Sequence, residues 1–141
     1  MKRALTPLIS TILLLGFAII LGSLVMSWGN SAEFAFRQCD DVAIGFTRIN
    51  QTDQICYADG YFQAVLENNG QHDIRSVRVI LLAENDVITV DYLLELREGE
   101  FGRLSVEGAD NIQKIRIIPT VRGTQCIGQR IESDYPDRCS I

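Results

Sequence analysis

Four cysteines, one histidine, a few loop acids and one short sequon are the residues whose types and spacing bear on chemistry. Cys39, Cys56, Cys126 and Cys139 all follow a long apolar segment. An even number of cysteines beyond a membrane-inserting stretch points to an oxidising compartment and two disulfides. No pair has the close spacing of a zinc knuckle or ribbon, so thiolate–zinc ligation is not expected. Four cysteines allow three pairings. The pairing Cys39–Cys56 with Cys126–Cys139 is favoured, because each pair brackets a short polar stretch between predicted strands. His72 follows Asn69-Gly70-Gln71 in a predicted turn and reads as a solvated loop side chain. Asp40-Asp41, Asp53 and Asp59-Gly60 could supply oxygen ligands to calcium, but without EF-hand spacing they read as solvated loop acids. There is no Gly-rich phosphate loop and no nucleophile elbow. No catalytic residues, cofactor or metal are expected. Asn50-Gln51-Thr52 is an N-x-[ST] sequon in the polar loop between Cys39 and Cys56.

The elements that carry these residues differ sharply along the chain. With 141 residues there is room for one modest domain. Leu5 to Ala32 holds no charged residue, and all 18 acids lie from Glu33 onward. The net charge is −5; without Lys2 and Arg3 it would be −7, with 11 basic against 18 acidic residues. Such a surface repels phosphate backbones, which excludes nucleic acid as a partner. Leu5 to Trp28 spans 24 residues, about 36 Å as a helix, which crosses a bilayer core with some tilt. Lipid forces every backbone hydrogen bond inside the segment, so the segment is helical. Pro7 sits in the first turn, where its missing N–H costs nothing. Lys2 and Arg3 place the N-terminus in the cytoplasm, and Trp28 sits at the far interface.

Three readings of this segment compete. One is a secretory signal cut near Ser27-Trp28-Gly29; its core is longer than such signals use. The second is an uncleaved single-pass anchor. The third places a processing site before the helix, after the basic stub Lys2-Arg3-Ala4, so that the helix survives into the mature chain. Lys2-Arg3-Ala4 followed by Leu5-Thr6-Pro7-Leu8-Ile9-Ser10-Thr11-Ile12-Leu13-Leu14-Leu15 resembles the opening of archaeal type IV pilins. The resemblance covers about the first 28 residues. It implies cleavage between Ala4 and Leu5 by a prepilin peptidase, leaving residues 1–4 as the signal stub. Bacterial pilins carry Glu at the fifth mature position, which here is Ile9; archaeal pilins lack that Glu. Archaellins open with a Gly-rich variant of this helix that is absent here. The resemblance also implies that Asn50 carries a glycan, as archaeal pilins often do.

Small residues recur along the rod at Gly16, Ala18, Gly22, Ser23, Ser27 and Gly29. Ala18 with Gly22, and Ser23 with Ser27, form small-xxx-small pairs that permit close helix approach. Gly16 to Ser23, and Gly22 to Gly29, step by seven, the interval of a packed seam.

Beyond the rod, residues 29–38 read as a joint, most flexible at Gly29-Asn30-Ser31, with Phe34 and Phe36 packing where it meets the next domain. From residue 39 to 141 the period changes to two. Val42, Ile44 and Phe46 alternate with polar or small residues; Phe62, Ala64 and Leu66 share a face, as do Val77, Val79 and Leu81. Asn68-Asn69-Gly70, Glu98-Gly99-Glu100 and Gly108 to Asn111 read as turns. Val87 to Val90, Leu104 with Val106, and Ile112 to Thr120 complete the set, with Pro119 expected at a strand end. About seven short strands predict an antiparallel immunoglobulin-like sandwich, α+β overall with the helix. Val65-Leu66-Glu67-Asn68-Asn69-Gly70 and the leucine-rich approach to Gly99-Glu100 resemble Ig-like modules of archaeal surface proteins.

The expectation is a structural subunit of an archaeal pilus-like filament. It would be membrane-inserted before assembly and extracellular afterwards, its partners being copies of itself through the helix, the peptidase and the assembly machinery. The alternatives are a membrane-anchored Ig-like binding protein of archaellum-stator type, an archaellin, or, least favoured, an anchored enzyme.

Overall fold

The computed structural model describes residues 5–108, 111–134 and 136–139. The chain divides between Arg37 and Gln38 into two compact units. The first is helical. Helix α1 (Leu5–Gln38) is 34 residues long, about 51 Å at 1.5 Å per residue. It runs through the stretch expected to be a flexible joint. Ala32, Glu33, Arg37 and Gln38 are good helix formers, and Glu33 bonds Arg37 one turn on at 2.7 Å. These preferences outweigh Gly29, Asn30 and Ser31. The expected packing of Phe34 and Phe36 concerns side chains outside those described, as does Ala4 at the proposed cleavage site.

The second unit is an antiparallel β-sandwich, so the chain is α+β as expected. Its strands are β1 (Ile44–Phe46), β2 (Arg48–Ile49), β3 (Thr52–Asp53), β4 (Ile55–Ala58), β5 (Tyr61–Asn68), β6 (Ile74–Ala83), β7 (Val87–Leu96), β8 (Phe101–Glu107), β9 (Ile112–Val121), β10 (Thr124–Gln125) and β11 (Ile131–Asp134). One sheet has β5 at its centre, with β8 on one side and both β1 and β4 on the other. The second runs β10-β9-β6-β7, and β11 also pairs with β9. Strands β2 and β3 form a separate two-stranded hairpin; with these set aside, and β1 with β4 and β10 with β11 each counted as one interrupted edge, the eleven segments give about seven strands, as expected.

The period-two patterns form the core. Phe62, Leu66, Leu104, Val77, Val79, Ile115 and Ile117 are fully buried. Strand β7 is longer than expected, because Leu93, Leu94 and Leu96 continue its alternation. Pro119 lies two residues inside the end of β9, opposite Val77. Its carbonyl accepts the Cys126 N–H at 2.9 Å, so its ring nitrogen faces that same outer side. There β11 ends opposite Ile117 and β10 begins opposite Thr120. The missing N–H thus falls in a gap of the ladder, which is what lets proline sit inside a central strand.

The disulfides correct the favoured pairing. Cys39 bonds Cys126, with Cα atoms 5.4 Å apart, and Cys56 bonds Cys139 at 4.9 Å. Cysteines close in sequence are carried apart by the strand between them, whereas the two ends of the domain return to its beginning. The C-terminal residues 137–139 run parallel to β4: Tyr57 N–H donates to Asp137 O, and Cys139 N–H donates to Tyr57 O, both at 3.0 Å. That strap puts Cys139 beside Cys56. The loops closed span 87 and 83 residues, worth about 4.5 kcal/mol each in the chain-entropy treatment.

Candidate functional site

The most unusual surface is the helix. Pro7–Asn30 is 24 residues, and its most apolar stretch of 18 residues has mean hydropathy 2.6 with no part buried. Leu14, Val25 and Trp28 are 69%, 70% and 81% exposed. A water-facing surface of this kind is far larger than soluble monomers expose. Two of its hydroxyls are bonded within the helix: Thr11 Oγ1 donates to Leu8 O and Ser23 Oγ to Ile20 O, both at 2.8 Å. Such bonds suit these side chains to a dry environment, lipid or protein.

Its small residues fall on two stripes. At 3.6 residues per turn, Gly16, Ser23 and Ser27 share one face, and Ala18, Gly22 and Gly29 share the roughly opposite one. A Cβ added at Gly16, Gly22 or Gly29 would meet nothing within 4 Å.

The loop residues of the sandwich go separate ways. Residues 47–54 leave the edge formed by β1 and β4 as an excursion. Thr47 N–H donates to Val65 O and Val65 N–H to Gln54 O, both at 2.9 Å, and Gln54 N–H closes the neck on Thr47 O at 2.8 Å. Asn50 and Gln51 form the apex with φ of 51° and 66°, the left-handed pair of a two-residue hairpin turn. Asn50 and Thr52 of the sequon are exposed, and Arg48 bonds Asp53 across the hairpin at 2.6 Å. Asp59 lies in the β4–β5 turn at φ 51°. Among the described residues no group of three or more His, Cys, Asp or Glu could hold a metal ion. His72 serves through its backbone, its carbonyl accepting a bond from Asn68.

Two arrangements had no clear sequence signal. Asn68, expected in an exposed turn, is fully buried. Glu132 gathers Lys114, Arg116 and Arg130 at 3.1, 2.6 and 3.0 Å, and these bonds lower its pKa to about 2. A cleft of about 340 Å³ lies against the strap, lined in part by Gln54, Gln63, Arg103 and Asp137.

Comparison with family models gives no match, and comparison with curated proteins gives none either.

Proposed function

We propose that the protein is the structural subunit of a type IV pilus-like filament of archaeal type. Its helices bundle as an apolar core and its β-sandwiches form the outer wall. The observation that carries the reading is the bare, uncharged span Pro7–Asn30 of the helix, with open glycines on two faces. Extraction from a membrane is tolerable only if the new surroundings are equally dry, and a core of identical helices provides them. Two small-residue faces suit contact with neighbours on both sides, whereas a lone anchor needs neither. The N-terminal apolar helix suits membrane insertion or a signal sequence, and the disulfides suit an extracellular location.

In this reading the chain is processed between Ala4 and Leu5, and Asn50 at the hairpin apex carries a glycan. The test is mass spectrometry of native protein together with electron microscopy of material sheared from cells. The expected result is filaments whose subunit begins at Leu5, with added mass on the Asn50 peptide. An intact Met1 and no filaments would favour a membrane-anchored binding protein instead.

A further inference from the structure

We infer that β7 is a self-pairing edge, through which two copies of this chain join their β6–β7 sheets antiparallel about Val90. The inference does not depend on filament assembly.

The edge is long and open. Strand β4 is covered by the C-terminal strap, and the outer side of β9 by β10 and β11. Among the described residues, strand β7 pairs with β6 alone. Natural sheets blunt such edges with lysine, proline or short length; Val87–Leu96 is ten residues and contains neither residue. Strand β8, the other long strand with one neighbour, is shorter and exposes Arg103. The acid at the middle of β7 is a weak guard, because Arg78 holds the Asp91 carboxylate with two bonds of 2.6 and 2.8 Å.

Backbone parity fixes which groups face outward. Ala83 N–H donates to Asp86 O across the β6–β7 turn at 2.9 Å. Alternation from that bond turns Ile88, Val90 and Tyr92 towards β6, and Val87, Thr89, Asp91 and Leu93 to the open side. The Val87 N–H, bonded by the Asp86 side chain rather than by β6, agrees. Pairing with β6 slips between Ile74 and Ser76, so the regular ladder ends at Leu93.

A two-fold axis at Val90 uses this whole ladder. Thr89 then pairs with Asp91 of the second copy, which keeps the two Asp91 residues from facing each other. Val87 pairs with Leu93, joining side chains that are 57% and 87% exposed. On the inner face, Ile88 meets Tyr92 and Val90 meets Val90. These residues face the core yet are only partly buried, so pairing completes a core that the single copy leaves open. Shifting the axis to Asp91 would set like charges opposite each other. An isologous contact closes at two copies.

The test is hydrogen exchange on the full chain in detergent micelles at low and high protein-to-micelle ratio, with Gly22→Leu present throughout to weaken helix association. Amides of Thr89, Asp91 and Leu93 should exchange about tenfold more slowly at the high ratio, as they would with roughly one chain in ten monomeric. Thr89→Pro removes an outward N–H, and Leu93→Lys puts a charge on the exposed row; each should abolish the concentration dependence. Exchange that is fast at both ratios would overturn the proposal. So would protection at both ratios that survives in monomeric protein, since another segment would then cover the edge.

Discussion

Asn68 Nδ2 lies 3.0 Å from the carbonyl oxygen of Leu96, a residue 28 positions further along the chain. The same nitrogen donates to His72 O at 2.9 Å, and Oδ1 accepts the Gly70 N–H at 3.0 Å. The Asn68 backbone adds bonds to Glu100 and Gly99. One fully buried amide thus ties the end of β5 to the ends of β7 and β8. Asn68→Ala takes the side-chain donor from the His72 and Leu96 carbonyls, while the Gly70 N–H keeps Ala43 O as an acceptor at 3.1 Å, so it should cost about 2–4 kcal/mol, the scale of two buried polar groups losing a partner. Urea unfolding of the Asn68→Ala protein measures this, and a loss under about 0.5 kcal/mol would mean that the bonds are replaced.

Glu132 predicts an acid dependence. Its pKa falls from 4.5 to about 2 through hydrogen bonds from Lys114, then Arg116, then Arg130. A lowered folded-state pKa gives stability that is present above pH 4.5 and lost as pH falls through about 2. Between those values the wild type should therefore lose more stability on acidification than the same protein lacking this bonded carboxylate. Thermal melts of wild type and Glu132→Gln across that range should converge at the acid end. A constant gap between them would show that the cluster makes no pH-dependent contribution.

Much of the sandwich is legible because burial on one face writes a period of two. Phe62, Ala64 and Leu66, and Val77, Val79 and Leu81, lie on the buried faces their spacing indicates. Local signals fail where a distant partner decides. Asn68 reads as a turn residue because its type favours turns, while its burial depends on Leu96 and His72. Gly70 has a similar hidden reason: a Cβ there would collide with the backbone of Asp41, Val42 and Ala43. The Gly29–Ser31 stretch reads as a joint from three weak helix formers, although the helix continues on the residues that follow. Of the helix surface, the six small positions are legible by spacing, since a single helix needs no long-range information to place them.

The disulfide pairing was beyond local spacing for the same reason, and it has a mechanical consequence. Cys56–Cys139 holds a strap attached to β4 by backbone bonds at Tyr57. Without that link the strap keeps only its backbone bonds to Tyr57, and a segment so lightly held opens readily. Replacing both cysteines with serine should lower stability by about 2–5 kcal/mol and free residues 136–139 to proteolysis. Non-reducing peptide maps of the native protein should contain the Cys39–Cys126 and Cys56–Cys139 peptides. A Cys39–Cys56 peptide would overturn this topology.

The last prediction concerns the helix, where filament and anchor part most sharply. In the single chain a Cβ added at Gly22 meets nothing within 4 Å, so a side chain there starts into open space. Any effect must then come from a neighbour. In fluid lipid the neighbours yield, and Gly22→Leu should insert at least as well as wild type because leucine favours the bilayer. In a packed core another helix occupies that space, and filaments should be reduced or lost. Gly16→Leu tests the opposite stripe; if both faces are packed, it should be equally damaging. A charge at mid-helix separates the two steps, since Ile19→Asp should impair insertion itself, by about 2.5–3.5 kcal/mol. The measurement is membrane fractionation alongside electron microscopy of sheared material for all three variants. Normal filaments from both glycine variants would leave the small residues without a packing role, whereas wild-type protein that forms no filaments and purifies from membranes as a monomer would leave the helix an anchor alone.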